Sequence, residues 1–264
     1  DALFEHLKAN NCIVGSQHGF VPGRSVTTNL IEYLNIITAA LDEGVPFDTI
    51  MVDFRRAFDR VPFEGMIAKA EAHGIGGDLL GWISDWTKDR RQRVVLNGIE
   101  SEWVNVTSSV VQGSVLGPVL FLLYINCIDK AIRSHDDNIM VSKFADDTKV
   151  GRKIYDMNDS ASLQTALNSL GRWCVDWGME LHPDKCTVIH FGKNNPKFMY
   201  NINGCEVNES ENVRDLGILI SNNTSHSPHI TNVTKKAHVV LSQIKRTVLY
   251  RDEIIFPKIY QAYV

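Results

Sequence analysis

The sequence has few of the features that mark secreted, zinc-binding or membrane-spanning proteins. Its 264 residues include five cysteines, an odd number, and none of them forms a Cys-x-x-Cys pair. We therefore expect neither a disulfide framework nor a zinc site. We expect the protein to function in a reducing, intracellular compartment. The longest apolar run, Val115 to Ile125, contains Gly117 and Pro118 and is too short to cross a bilayer. We expect a buried helix there and no membrane partner.

Internal repeats and low-complexity tracts are also missing. The net charge of −4 does not by itself indicate nucleic-acid binding. The charge is uneven, however, because six lysines and arginines accompany only two acidic residues from Ile230 to Val264. A basic end beside an acidic centre is compatible with nucleic-acid binding. With 44% hydrophobic residues, the chain can form one large or two small domains with a core.

Two adjacent carboxylates, Asp146 and Asp147, are the most informative feature that is present. They lie between β-prone residues ending at Phe144 and a strand-like run from Thr148 to Ile154, so the sequence predicts a β-hairpin with the acid pair at its bend. Neighbouring carboxylates repel each other, and a cation would relieve that repulsion. Paired oxygen ligands favour Mg²⁺ or Mn²⁺ over zinc. The alternative is an ordinary polar hairpin turn, in which Asp-Asp is common.

A third aspartate, Asp53, ends a short β-rich run that begins at Phe47. The strand would fix the backbone of this residue while the following loop frees its carboxylate, which is a favoured position for a site residue. The alternative is that Asp53 only caps the turn that follows. Asp136 and Asp137 belong to a polar loop, and we interpret them as solvated residues rather than as a second metal-binding pair.

The rest of the chain alternates between helical and extended patterns. Helices are predicted from Thr27 or Thr28 to Gly44, around 65–73 and 79–86, over 119–128, along the stripe Leu163 to Trp177 with Ser160 or Ser162 as cap, and from His229 onward. Extended segments are predicted around a turn at Asn97-Gly98, at 187–191, at 200–207 and at 213–220. This order favours an α+β fold, with an antiparallel sheet that carries helices on one face.

Three segments occur in an order that is specific as a set, although each alone is not. They are Val52-Asp53-Phe54-Arg55-Arg56-Ala57-Phe58-Asp59, Gln112-Gly113-Ser114-Val115-Leu116-Gly117-Pro118 and Phe144-Ala145-Asp146-Asp147. Gln17-His18-Gly19-Phe20 precedes them and Pro183-Asp184-Lys185-Cys186 follows. From about Ser16 to its C-terminus, the chain resembles the reverse transcriptase of non-LTR, LINE-like retrotransposons, close to the Jockey and CR1 groups.

The resemblance implies a polymerase palm with part of the fingers and the start of a thumb. The implied segments are partial fingers at 1–46, a palm at 47–192 with a helical, fingers-like insertion at 63–108, a primer-grip-like hairpin region at 193–228 and the start of a truncated thumb at 229–264. The implied activity joins dNTPs to a DNA primer on an RNA template, in the nucleus or cytoplasm. The implied cofactor is two Mg²⁺ ions, with Mn²⁺ as a substitute, roughly 3.5–4 Å apart. Nothing in the sequence indicates an oligomeric state.

By the same resemblance, three aspartates are the metal-binding and catalytic residues: Asp53, Asp146 and Asp147. Lys185 matches the lysine proposed to protonate the leaving pyrophosphate. The alternative for Lys185 is a solvated lysine at a strand edge.

Nucleotide-binding roles also follow from the resemblance. Phe58 matches the aromatic residue that would crowd a ribose 2′-hydroxyl and so select dNTPs. Phe54 and its adjacent backbone would line the triphosphate site. Gln112 and Gly113 would contact the incoming nucleotide and the template strand.

Nucleic-acid contacts are expected at two further positions. Gly217 lies in a segment that resembles the primer-grip hairpin, and Arg24 lies in a fingers-like loop where it would meet template phosphate. The basic stretch from Lys88 to Arg93 is either a solvated face or a phosphate contact.

The sequence departs from the family pattern at four positions, none of them a metal ligand. The family usually has Arg at Val21, Pro at Val111, Asp at Cys127 and Asn at His182. Val111 would loosen the turn before Gln112, because proline would fix φ there. The chain also looks like a fragment, since upstream fingers strands, an endonuclease domain and a complete thumb are not in it. We therefore expect weak or no primer extension from it alone.

Two other functions stay open at this point. A decayed or domesticated remnant would bind nucleic acid or a partner without catalysis; the four departures favour it, and the intact aspartates argue against it. The second open function is that of a different palm polymerase, such as an intron-encoded reverse transcriptase or an RNA-directed RNA polymerase. Phe58 and the Phe-Ala-Asp-Asp sequence disfavour the RNA-synthesising version.

Overall fold

A computed structural model describes residues 2–111, 113–248 and 253–263. The chain divides into two compact units, one that ends at Ser210 and one that begins at Glu211. This division falls inside the segment 193–228, which the sequence assigns to a primer-grip-like region. The names fingers, palm and thumb for individual segments stay predictions.

The first unit contains most of the regular structure. Its helices are α1 (Ala2–Ala9), α2 (Val26–Asp42), α3 (Phe63–Ala72), α4 (Gly77–Thr87), α5 (Gly117–Ile125), α6 (Ile128–Ile132) and α7 (Met157–Asp176), with a 3₁₀ helix at Pro183–Lys185. Its strands are β1 (Phe47–Val52), β2 (Arg91–Gln92), β3 (Val95–Leu96), β4 (Ile99–Glu100), β5 (Val104–Asn105), β6 (Met140–Phe144), β7 (Asp147–Lys153), β8 (Thr187–Phe191), β9 (Asn201–Ile202), β10 (Cys205–Glu206) and β11 (Asn208–Glu209). The predicted helix over 119–128 corresponds to α5, which ends at Ile125, and α6 begins at the last predicted residue, Ile128.

The predicted caps of two helices are wrong by a few residues. Ser25 caps α2, because its side chain accepts the N–H of Thr28, so the threonine is inside the helix. Asp156 caps α7, instead of Ser160 or Ser162. Both caps are reciprocal boxes, in which the side chain three residues on bonds back to the backbone of the cap.

A five-stranded sheet in the order β11-β8-β1-β7-β6 forms the centre of the first unit. β1 pairs antiparallel with β7 on one side and β8 on the other, and β6 and β7 form the predicted hairpin. Only the short edge strand β11 is parallel to its neighbour. The α+β fold with an antiparallel sheet is therefore confirmed.

One face of this sheet carries the main hydrophobic core. Ile50 of β1, Val150 of β7 and Val188 of β8 lie in the core together with apolar residues of α3 and of α5 to α7. Ile50 is paired with both Val150 and Val188, and opposed residues of paired strands point to the same face. α5 is apolar on all sides and is buried from Leu120 to Ile125, as expected for a helix inside a core.

The opposite face is also covered, which corrects the prediction that helices lie on one face only. Ser142 and Lys149 are opposed in the β6–β7 pair, and both bond to Asn29 of α2. The next residue of β6, Lys143, forms a buried ion pair with Asp129 of α6. Adjacent strand residues point to opposite faces. α2 and α6 therefore lie on opposite sides of the sheet.

The hairpin predicted around Asn97-Gly98 is confirmed, although its strands are shorter segments than the predicted runs 94–96 and 102–108, and it ends at Asn105. β3 and β4 flank the turn, where both residues have positive φ, and β2 pairs with β5 further out. The guanidinium carbon of Arg93 lies over the ring of Trp103, 4.6 Å from the ring centroid. Most of the basic stretch is exposed, and one of its guanidinium groups, that of Arg93, forms a cation–π contact with Trp103.

The second unit contains a hairpin and two helices. Its elements are β12 (Asn212–Asp215), β13 (Ile218–Ser221), α8 (Ser227–Thr247) and α9 (Ile255–Tyr263). Leu216 and Gly217 form the two-residue turn of the hairpin, with φ of 46° and 89°. The predicted hairpin at 213–220 is confirmed, and the predicted helix begins two residues before His229. No helix in the described part of the chain combines the length and the apolar character needed to cross a bilayer.

Cys127, one of the departures from the family pattern, occupies a site with two hydrogen-bond donors. The Lys69 ammonium lies 2.9 Å from its sulfur, and the Trp173 indole N–H lies 3.1 Å from it. Sulfur is a weak acceptor, whereas a carboxylate in this place would accept both bonds and pair with the lysine charge.

We therefore expect Cys127→Asp to stabilise the protein by about 1 kcal/mol, the order of an ion pair that is partly exposed. Thermal unfolding of the wild type and the variant would measure this. Cys127→Ser is the matched control, because it offers a neutral oxygen. A gain that survives Lys69→Met in the Cys127→Asp background would contradict the ion-pair explanation.

Candidate active site

Asp53 lies beside the acid-bearing turn because of the register of the central strands. Val52, the last residue of β1, is paired with Thr148 at the start of β7. Asp53 follows Val52 directly, so it lies at the same end of the sheet as the β6–β7 turn. These two segments, about ninety residues apart in the sequence, thus meet at one edge, as the predicted metal site requires.

The turn itself has two residues. Phe144 and Asp147 form the last pair of the hairpin, and Ala145 and Asp146 connect them. Ala145 is buried and has a φ of 56°, in the left-handed region. Asp146 is half-buried, whereas Asp147 is exposed at the start of β7.

The pKa of Asp146 is influenced by Asp53. Burial raises the pKa of the Asp146 carboxyl group, and the nearby Asp53 carboxylate raises that pKa further. Both effects disfavour the charged form of Asp146. A cation between the two carboxylates would reverse this, because it favours the charged form of each.

Lys185 also reaches this site. Its ammonium lies 3.9 Å from a carboxylate oxygen of Asp53, and its side chain is 62% exposed. Such an exposed pair contributes little to stability. Its position at the end of the short 3₁₀ helix before β8 leaves the ammonium accessible to a ligand.

The backbone of Asp53 is held from the opposite side by the chain that leads into β8. The Asp53 N–H points at the sulfur of Cys186, 3.5 Å away, and the Asp53 carbonyl accepts the N–H of His182 at 2.9 Å. Burial raises the pKa of the Cys186 thiol, which keeps it neutral under Asp53. The segment that carries Lys185 thus also fixes the backbone of Asp53.

The two predicted phenylalanines lie in different environments. Phe58 is partly buried and stacks on Phe121, with ring centroids 4.1 Å apart, while Phe20 contacts its ring edge-on at 6.2 Å. Phe54 is 7% exposed and belongs to the main core, and its backbone bridges to Leu181. A contact between Phe54 and a ligand would therefore come from the backbone.

The other predicted contact residues are distributed along the chain. Gln112 lies outside the described residues, and Gly113 is exposed with a φ of 79°. The Arg24 guanidinium donates to the backbone carbonyls of Gly15 and Gln17, so part of it is used inside the chain. Gly217 belongs to the second unit, and its role stays a prediction.

Sequence reasoning assigns no role to three functional candidates that the fold reveals: Gln17, Phe20 and Cys186. Gln17 bonds to Arg24, Phe20 contacts Phe58 and Cys186 contacts Asp53, and all three lie in segments that carry the family resemblance. The resemblance includes these segments, but it gives none of the three residues a role, and the sequence predicts only a loop from Gln17 to Phe20.

Among the described residues, no three His, Cys, Asp or Glu side chains form a group that would hold a metal ion by itself. The site supplies a pair, Asp53 and Asp146, with Asp147 next in the chain. Mg²⁺ is commonly bound by one or two carboxylates together with substrate phosphates rather than by a complete protein cage. The donor set therefore fits Mg²⁺ in the presence of a nucleotide.

Comparison with known proteins places these features in a family. A family model described as reverse transcriptase (RNA-dependent DNA polymerase) matches residues 2–220. The RNA-directed DNA polymerase from mobile element jockey of Drosophila melanogaster is 23% identical over 243 residues, which is 90% of this chain and 26% of the relative. The probable RNA-directed DNA polymerase from transposon X-element of the same species is 27% identical over 230 residues, 86% of this chain and 25% of the relative.

The fold is similar to that of a telomerase. The structure of telomerase from Candida tropicalis in complex with a TWJ fragment of telomeric RNA matches 92% of this chain and 41% of the telomerase chain, with a TM-score of 0.60 and 10% identity. At that identity the match shows a shared fold, the polymerase palm. The chain spans about a quarter of the length of the two Drosophila relatives. Since the family model covers most of its residues and its relatives are named for mobile elements, the chain belongs to the reverse transcriptase family, among those of non-LTR retrotransposons.

Proposed function

We propose that the chain is the catalytic part of an RNA-directed DNA polymerase that extends a DNA primer with dNTPs on an RNA template. The observation that carries the proposal is the meeting of Asp53 and Asp146 at one end of the central sheet. Membership of the reverse transcriptase family supports it. Because the chain matches only about a quarter of its relatives' length, the activity of the whole protein is part of the proposal.

Reverse transcriptases generally use divalent metal ions. In this chain Asp53 and Asp146 would hold two Mg²⁺ ions, with Asp147 beside them, and Mn²⁺ would substitute. Bound Mg²⁺ supplies positive charge that activates a hydroxyl group and neutralises phosphate oxygens. Burial accounts for most of the raised pKa of Asp146, and the smaller contribution of the Asp53 carboxylate supports this assignment, because a cation is favoured between two neighbouring negative charges.

The reaction joins the primer 3′-oxygen to the α-phosphorus of the dNTP and breaks the bond between the α-phosphorus and the bridging oxygen. The hydroxyl proton passes to solvent water, and pyrophosphate leaves with the oxygen that bridged the α- and β-phosphorus atoms. We assign Lys185 as the group that gives a proton to the pyrophosphate, since its accessible ammonium lies beside Asp53. Phosphoryl transfer needs mainly positioning and charge stabilisation, which these side chains provide.

The remaining assignments concern binding. Phe58 would exclude the ribose 2′-hydroxyl, and its stack on Phe121 holds the ring in one orientation. The backbone after Asp53, including Phe54, would line the triphosphate site, with Gln112 and Gly113 on the nucleotide and template. Arg24 and Gly217 would contact the nucleic acid. Nucleus and cytoplasm both remain proposed compartments.

The test of the proposed function is primer extension in Mg²⁺ by the full-length protein, on an RNA template with a DNA primer. We expect Asp146→Asn to reduce extension by about 10³-fold or more, because the metal charge contributes several kcal/mol to the transition state. Asp137→Asn, a solvent-exposed acid outside the site, is the control. Equal extension by the Asp146 variant and the wild type would refute the metal assignment. Nucleic-acid binding without any extension by the wild type would instead favour a non-catalytic remnant.

The same substitution is expected to stabilise the metal-free protein. A raised pKa means that the folded state binds the Asp146 proton more tightly than the unfolded state, so the ionised group lowers stability at neutral pH. Asp146→Asn removes that charge together with its burial penalty and its repulsion by Asp53, and we expect the melting temperature in EDTA at pH 7 to rise by about 2–4 °C per kcal/mol of destabilisation removed. The difference should shrink as the pH falls through the raised pKa of Asp146. A lower melting temperature for the variant at pH 7 would contradict the destabilising effect of the ionised Asp146.

Phe58→Ala is expected to relax sugar selection. Without the ring, a ribose 2′-hydroxyl fits, and we expect the ratio of kcat/KM for dNTP to that for rNTP to fall about ten- to a hundredfold. Measuring the ratio cancels a general loss of activity. Phe58→Tyr, which keeps the ring, should keep most of the selectivity. An unchanged ratio in Phe58→Ala would remove the selective role from Phe58.

A further inference from the structure

The segment from Ser16 to His18 forms an extra short pairing at the edge of the central sheet. The His18 N–H donates to the Lys143 carbonyl at 2.9 Å, and the Lys143 N–H donates to the Ser16 carbonyl at 2.8 Å. Gln17 thereby pairs in parallel with Lys143 of β6, the edge strand that leads into the acid-bearing turn. Gln17 is 2% exposed, so its side-chain amide must find its partners inside the protein.

Those partners belong to the turn. The Gln17 Oε1 accepts the N–H of Ala145 at 2.9 Å and the N–H of Gly19 at 2.8 Å, and its Nε2 donates to the Ala145 carbonyl at 3.2 Å. One side chain thus holds both backbone groups of the residue that precedes Asp146.

Ala145 is a residue that needs such support. Its φ of 56° is unfavourable for a residue with a Cβ, and Asp146 is not among the residues with positive φ. A two-residue turn with positive φ only at its first position normally has glycine there. Without the Gln17 amide, the alanine would favour another conformation, and the Asp146 carboxylate would be displaced with it.

The backbone of the segment also touches the turn directly. A Cβ on Gly19 would lie 2.2 Å from the Ala145 nitrogen, so only glycine fits at this position. The segment is also attached to α6, because Asp129 of that helix accepts hydrogen bonds from both Ser16 and the buried Lys143. Arg24 adds a bond to the Gln17 carbonyl at 2.8 Å.

We propose that Gln17 is a positioning residue of the polymerase site, which holds Ala145 in its left-handed conformation and so aims the Asp146 carboxylate at the metal position. The proposal rests on the proposed function. Gln17 contacts neither substrate nor metal in this scheme, and it acts through the turn.

The first test compares two buried amides that bond to the same hairpin. Gln17→Met removes the bonds to Ala145. Asn29→Leu removes bonds to Ser142, to the Lys143 carbonyl and to the buried Lys149 ammonium but none to the turn, so it is the matched control for lost stability. In primer extension by the full-length protein, below both melting temperatures, we expect Gln17→Met to lower kcat at least tenfold and to raise the Mg²⁺ concentration for half-maximal rate several-fold. Asn29→Leu should change kcat less than threefold.

The second test is rescue. Glycine adopts a positive φ without a steric penalty, so Ala145→Gly should restore at least a third of the wild-type kcat in the Gln17→Met background. It should give no gain in the Asn29→Leu background. A kcat that falls equally in both single variants, or a Gln17→Met variant that Ala145→Gly does not rescue, would overturn the proposal.

A third measurement separates this proposal from the proposed function. The Ala145 amide should exchange with solvent at least tenfold faster in Gln17→Met than in the wild type, and this readout needs no polymerase activity. If the wild type extends no primer, the proposed function fails while the faster exchange still supports the positioning of the turn by Gln17. Unchanged exchange at Ala145 would refute that positioning, whatever the activity.

Discussion

The antiparallel pairing of β1 with β7 is the constraint on which the site depends. Its register places Asp53, which follows Val52, at the end of the sheet where the β6–β7 turn carries Asp146. Neither segment contains a site alone, and the pairing brings the Asp146 carboxyl group into a partly buried place where burial and the nearby Asp53 carboxylate both disfavour its ionisation. The folded chain thus has an unfavourable charge arrangement that a divalent cation converts into a favourable one. The exposed ammonium of Lys185 beside Asp53 offsets only a small part of this unfavourable charge arrangement.

The sequence is a good guide wherever the signal is local. The hairpin around Asp146, the strand that ends before Asp53 and the buried helix α5 all follow from the spacing of apolar residues and from turn residues, and the structure confirms them. The predicted helix caps are wrong by a few residues, because several serines, threonines and aspartates near each start fit the pattern equally well. The metal and contact roles come from the family resemblance and stay predictions.

What the sequence does not reveal depends on contacts between distant segments. Asn29 reaches Ser142 across 113 residues and Gln17 reaches Ala145 across 128, so no periodic pattern could show that α2 covers the second face or that a loop holds the turn. Asp136 is predicted to be solvated, yet its carboxylate is bound by Arg152 and Ser162. In each case a polar residue that looks exposed in sequence is satisfied by a partner that only the fold supplies.

The departures from the family pattern bear on whether this site is still a polymerase site. At His182 the contact that matters is made by the backbone, since the His182 N–H holds the Asp53 carbonyl. At Val111 the carbonyl accepts the Ser114 hydroxyl at 2.6 Å, again through the backbone. Any side chain can preserve these bonds, and at Cys127 the sulfur still receives both donors that a carboxylate would receive. Random decay would not be expected to spare Asp53, Asp146 and Gly19, which fits against the turn, while changing these three positions, whose contacts tolerate the change. The distribution of the departures therefore favours a site kept for catalysis over a remnant that only binds.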